Sequence, residues 1–175
     1  MPNATDRSMQ NRFSGAISKW LGTSAIDELA STDEVPHIST LEFTKEQPIG
    51  QRFKVPFSVS VPHPNAVTVS IDSFIPSEQI VAPAAIGLVT LVISAAACLL
   101  KTGEPTGSET HTIDIPYNNT TVAAQVLEFN VNTPSQSLVV TAAQLIYKRF
   151  EYNTWVNINK EAFVPAGVID ARYMD

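Results

Sequence analysis

Cysteine is almost missing from this chain: Cys98 stands alone among 175 residues. No internal disulfide can form, and no cysteine-based metal cage is possible. The compartment stays open, cytoplasmic or part of an exported assembly, because a domain with a sufficient core does without disulfides in either setting. A chain of this length buries roughly 70% of its unfolded surface, so its core needs no staples. Basic residues are scarce as well, 11 against 17 acidic ones, for a net charge of −6. That balance argues against a general affinity for nucleic acid or anionic membrane. Seven glycines against twelve prolines point to many strand ends and turns rather than long helices. Serine hydrolase elbows, phosphate loops and dinucleotide fingerprints are all missing. The start, Met1 to Arg7, has no apolar core after it, so it does not read as a secretory signal; a trimmed one is the alternative.

What is present in quantity is one apolar run. Gln79 to Lys101, QIVAPAAIGLVTLVISAAACLLK, carries no charge between its ends. About 20 such residues are long enough to cross a bilayer as a helix. Against a span, Pro83 and Gly87 interrupt its first half, and the backbone groups they disturb would need new partners in lipid. Its centre, Leu88 to Ile93, is rich in β-branched residues that favour a pleated surface. Glu78 and Lys101 flank it, and no Trp or Tyr lies near enough to form an interfacial belt. The pattern therefore predicts a strand buried on both faces and no membrane span.

Ahead of it, Met9, Phe13, Ile17 and Leu21 recur every four residues with Trp20 beside them, one stripe of a short amphipathic helix. Asp6 or Ser8 is placed to cap it and Gly22 to end it. About 14 residues are marginal alone, so the stripe needs a cover. It packs either on its own sandwich or on a neighbouring subunit, in which case Phe13, Ile17 and Trp20 are the partner contact. Residues 1–35 thus read as a helix and polar connector, and 36–175 as the folded domain.

From Pro36 onward the pattern is strands. His37 to Phe43 alternates, as does Arg52 to Val61 with Phe53, Val55, Phe57, Val59 and Val61 on one side. Pro56 lies on the other side of that second strand and marks it as an edge or a bulge. Pro62 to Asn65 turns the chain into Ala66 to Phe74, completing a hairpin. Thr102 to Ser108 is a loop by its glycine and proline content. Thr110 to Ile115, Ala124 to Val131 and Ser137 to Phe150 follow as strands, the last being the natural partner of the central run. Glu151 to Thr154 reads as a hairpin tip leading into Trp155 to Ile158, and the tail 163–173 closes the sheet. About eight strands at this spacing, without helical crossovers, predict a mainly β, antiparallel two-sheet sandwich of immunoglobulin-like kind.

Candidate chemistry is thin. His37, His63 and His111 are dispersed without metal-ligand spacing and read as loop or solvent-facing residues. Asp72, Asp114 and Asp170 each follow a core isoleucine in an alternating strand, which describes a solvated face better than a calcium or acid–base site. Cys98 lies among Ala95 to Leu100 as an inert core thiol. Tyr117, Tyr152, Trp155 and Tyr173 fall in or beside turns, either plugging the ends of the sandwich or offering contacts. Asn118 to Thr121 holds overlapping glycosylation acceptor patterns, which matter only in a eukaryotic secretory setting. No cofactor and no metal site is read from these residues.

MQNRFSGAISKWL (9–21), SFIPSEQIVAPA (73–84), IPYNNTTV (115–122) and FVPAGVIDARY (163–173) resemble an uncharacterised family of β-rich proteins encoded in Bacteroidota genomes, often in mobile-element or phage-like settings. The resemblance implies an antiparallel sandwich and no established activity, and it carries no functional residues across. It also implies that family members have a basic, glycine-containing segment ahead of the helix, so this chain matches their C-terminal portion, a trimmed or processed form. The reading that results is a non-enzymatic structural or protein-interaction module in a larger assembly, self-associated or bound to a protein partner. One alternative is a carbohydrate-binding sandwich using Tyr152 and Trp155; another, disfavoured, is a small hydrolase.

Overall fold

The computed structural model describes residues 35–39, 41–44, 47–158 and 164–175. The proposed N-terminal helix, with Phe13, Ile17 and Trp20, lies outside them. The described residues form a mainly β, antiparallel sandwich of two sheets, with three and five strands. The smaller sheet has the order β1 (Phe57–His63), β2 (Ala66–Ile71), β5 (Gln125–Phe129). The larger runs β4 (Pro105–Pro116), β3 (Leu88–Leu99), β6 (Ser137–Glu151), with β7 (Thr154–Asn157) and β8 (Ala166–Met174) both on the far side of β6.

The apolar run supplies the central strand of the larger sheet. β3 pairs with β4 from Leu88↔Pro116 to Cys98↔Pro105 and with β6 from Leu88↔Lys148 to Leu99↔Ser137. Val89, Leu91, Ile93, Ala95 and Ala97 point into the sandwich and are buried there with Val67, Val69, Ile71, Ile115, Phe129 and Leu145. Two expectations need correction. The strand begins only at Leu88, because Pro83 and the turn at Ala84–Ala85 precede it. It is also not buried on both faces: Thr90 is covered, but Val92 and Ser94 are half-buried and Ala96 is exposed. Among the described residues no helix is long and apolar enough to cross a membrane.

β7 and β8 share one edge of β6. β8 pairs with its first half, from Ser137↔Met174 to Gln144↔Ala166, and β7 with its end, from Lys148↔Asn157 to Glu151↔Thr154. Between them Leu145 N–H donates to Pro165 C=O at 2.9 Å, and Ile158 N–H donates to Tyr147 C=O at 3.0 Å. The two strands therefore follow one another along the same edge of β6.

Three other expectations are corrected by the structure. His37 to Phe43 is not a strand: Pro36–Ser39 is a helical turn, with proline at the position where its missing N–H costs nothing. This segment covers the outer face of the larger sheet, where Val35 and Ile38 bury against Leu138, Val168, Ala171 and Tyr173. Arg52 to Pro56 is not strand either, since Ile49–Arg52 is a helical turn and β1 starts at Phe57. β1 is nonetheless an edge strand, as Pro56 suggested. Finally, Asp170 is not on a solvated face but is 8% exposed. A bulge between Thr141 and Ala142 of β6 opposes Asp170 to Thr141 and Val168 to Ala142, leaving Ile169 as the extra residue, and one inserted residue turns the next side chain to the opposite face. Arg172 Nε donates to Asp170 Oδ1 and Oδ2 at 3.1 and 3.0 Å, and its Nη2 donates to Val59 C=O at 2.7 Å. The pair ties β8 of one sheet to β1 of the other.

A candidate contact surface at the tip of one hairpin

The β6–β7 hairpin turns through two residues, Tyr152 and Asn153, with φ of 47° and 62°. Both values lie in the left-handed region that a type I′ turn requires and that asparagine and glycine tolerate best. Tyrosine is a costly choice there. Its ring contributes nothing to the core in return, for Tyr152 is 98% exposed. We expect Tyr152→Asn with Asn153→Gly to raise stability by about 1 kcal/mol, because the preferred turn residues replace strained ones. Thermal unfolding checks this; an unchanged or lower midpoint would refute the strain.

Either side of the turn, Phe150 and Trp155 face each other across the ladder. Their rings meet edge-to-face with centroids 5.3 Å apart, a favoured aromatic arrangement. The indole also lies against Gly87: a Cβ at that position would come within 3.0 Å of its Cη2 and Cζ3 atoms. Gly87 thus provides the floor on which Trp155 rests. Phe150 and Trp155 remain 55% and 45% exposed.

Polar groups border this patch. Lys148 Nζ is 3.4 Å from Asp114 Oδ1, and the Thr90 hydroxyl donates to the same carboxylate. The Thr90 hydroxyl, and with it the Lys148 ammonium, holds the Asp114 carboxyl below its ordinary value against a smaller opposing effect of burial. On the other face Arg149 and Glu151 form an ion pair. An apolar centre with a satisfied polar border is the anatomy of a recognition surface.

Of the sequence candidates, Tyr152 and Trp155 are thus placed on one hairpin, with Phe150 added opposite Trp155. In the sequence Phe150 is only the end of the long strand Ser137 to Phe150; the two-residue turn sets it opposite Trp155. Tyr117 packs against the sandwich core instead, its Oη donating to Ile80 C=O at 3.2 Å, and Tyr173 is buried on the outer face of the larger sheet with Val35 and Ile38. Tyr147, not singled out by pattern, donates to Val81 C=O at 3.0 Å, and burial pushes its phenol up to about 12.

The remaining candidates do not converge. Among the described residues no three His, Cys, Asp or Glu side chains gather as a metal site. His63 is exposed, the His37 side chain lies outside the described residues, and His111 is taken up by Glu109 at 3.2 Å and by the edge of Phe129. Cys98 is half-buried rather than fully interior, and burial pushes its thiol up, the reverse of activation. Asp72 is exposed.

A cavity of about 370 Å³ opens between the helical turn Ile49–Arg52, β1 and β8, lined by Ser39, Glu42, Phe53, Lys54, Phe57 and Ile169 among others. The Ser39 hydroxyl has no hydrogen-bond partner and no exposed surface, so it is not offered to a ligand. Glu42 accepts from Ile49 N–H at 3.0 Å. Burial raises the Glu42 carboxyl above its ordinary value, and the bond from Ile49 only partly offsets this. A raised folded pKa means that the group favours the fold while protonated, below its unfolded pKa, and loses that contribution as pH rises through the folded value. Glu42→Gln, which keeps an acceptor for Ile49, is therefore expected to raise the melting temperature at neutral pH and to give no gain at acid pH. A pH series of melting curves checks the sign.

No protein-family model matches this chain, and no curated protein matches it.

Proposed function

We propose that the chain is a non-enzymatic protein-interaction module, a subunit of a larger assembly, whose contact surface is the β6–β7 hairpin. The observation that carries this reading is Tyr152: a fully exposed aromatic ring held in a strained backbone conformation. Strain of that kind persists when the site has a use for it. Tyr and Trp are also the residues on which protein contacts most depend, since they give large rigid area at little entropic cost. Phe150 and Trp155 form an exposed apolar surface on one face of the hairpin and Val156 is exposed on the other, and such patches mark interaction sites more often than inert ones.

The carbohydrate-binding alternative rests on the half-exposed indole of Trp155 beside Lys148 and Asp114. Tyr152 stands at the apex rather than opposite Trp155, so the rings do not frame a sugar between them, and the protein contact is the better fit. The test replaces Tyr152 with a photo-crosslinking phenylalanine analogue in the chain's own source. Adducts with protein support the module. Absence of protein adducts, together with glycan-array binding that disappears in Trp155→Ala, would replace it with the sugar reading.

A further inference from the structure

The edges of the two sheets are not equally protected. The outer edge of β8 is covered by the segment 35–43: Val35 N–H donates to Ala171 C=O, Phe43 N–H to Ala166 C=O and Val168 N–H to Leu41 C=O, each at 2.9 Å. β1 carries a register shift between Ser60 and His63, and the Val59 carbonyl is taken by Arg172. β4 is tied to the chain after β5, where Thr106 Oγ1 donates to Asn132 C=O at 2.7 Å and Asn130 N–H donates to Glu109. β5 presents Glu128 beside its exposed Val126. Charges, bulges and covering segments are the devices by which natural sheets avoid pairing with other chains.

Among the described residues β7 has no such protection beyond its shortness. Thr154-Trp155-Val156-Asn157 contains no charge and no proline, its ladder to β6 is regular, and all four residues are exposed. Its hydrogen-bonding direction follows from its neighbours. Ile158 N–H points at β6, and by the alternation of antiparallel ladders Val156 and Thr154 do the same. Trp155 and Asn157 therefore turn their N–H and C=O groups outward, and among the described residues nothing accepts or donates to them.

We propose that β7 pairs with β7 of a second copy of this chain, antiparallel about a two-fold axis at Val156, joining the two larger sheets into one. This rests on the reading of the hairpin as the contact surface and names its partner. The outward groups select the register. Trp155 of each copy exchanges hydrogen bonds with Asn157 of the other, and Val156 meets Val156 as a non-hydrogen-bonded pair with close side chains. A symmetric, self-complementary patch is what a two-fold dimer demands. Charge allows it too. The chain carries a net charge of −6, which opposes self-association in general, but β7 is uncharged and Arg149 and Glu151 beside it neutralise one another. A short strand gives a small interface, so the dimer should be concentration-dependent rather than permanent.

Sedimentation velocity of the full chain over a wide concentration series tests this, with two variants. Asn157→Pro removes an outward N–H and leaves the β6 ladder intact, because proline is tolerated on an edge whose N–H faces solvent. Val156→Lys sets like charges against each other at the axis. The expected result is a dimer that grows with concentration in the wild type and is lost in both variants at unchanged melting temperature. A wild type that stays monomeric, or a dimer that survives both substitutions, overturns the proposal. A monomer whose position 152 still cross-links to a different protein overturns it while leaving the interaction module standing.

Discussion

Arg172→Met lowers the free energy of unfolding by about 3 kcal/mol, the scale for breaking a largely buried ion pair by removing one partner. The Asp170 side chain is 11% exposed and that of Arg172 29%, so solvent screens the pair little. Two consequences add. The Asp170 carboxylate loses both of its hydrogen bonds from the guanidinium, and the Val59 carbonyl of the opposite sheet loses its donor. Adding Asp170→Asn to Arg172→Met should recover much of the loss, because a neutral amide is far cheaper to bury than a charge. Urea denaturation of the three variants checks both steps. A single-variant loss below about 1 kcal/mol, the range of exposed pairs, would show that the cross-link does not hold the sheets together.

Leu91→Ala is the second large effect, expected at about 2–5 kcal/mol. Leu91 is at 0% exposure in the middle of β3, opposite Ile113 of β4 and Leu145 of β6. Both neighbours are held in register on either side, so the space left by the lost carbons cannot close by a strand shift. Leu88, at the edge of the same strand and only half-buried, should cost well under half as much when truncated. Equal losses at the two positions, measured by denaturant unfolding, would contradict a central strand with one fully buried face.

The fold was legible where a strand keeps its phase. β3 and β6 announce themselves as long apolar runs, and the hairpins at Pro64–Asn65 and Tyr152–Asn153 are marked by turn residues. Legibility fails where the chain changes phase or a proline redirects it. His37 to Phe43 alternates like a strand, yet Pro36 starts a helical turn and the apolar residues bury against the outer face of a sheet. Asp170 follows isoleucine in an alternating segment, but the bulge at Ile169 turns it inward, and no local residue pattern announces a bulge. The outer face of β3 is wetter than its composition suggests, because Val92, Ser94 and Ala96 lie beyond the cover given by Val35 and Ile38.

The site divides the same way. Tyr152 and Trp155 stand out because aromatics at a turn have few places to hide. Phe150 was hidden by its position at the end of an apolar strand. Among the described residues the bare edge of β7 is a property of topology alone: Val35, Leu41 and Phe43 bond to β8 and not to β7. Gly87 has no visible reason in the sequence, and only the indole resting on it supplies one.

Residue-resolved amide hydrogen exchange along β7, in dilute and concentrated solution, tests the central claim most directly. The account predicts that the Trp155 and Asn157 amides exchange fast when dilute and become protected on concentration, while Val156, bonded to Arg149, is protected in both. If Trp155 and Asn157 exchange equally fast at every concentration, the hairpin edge is not the surface through which this chain assembles.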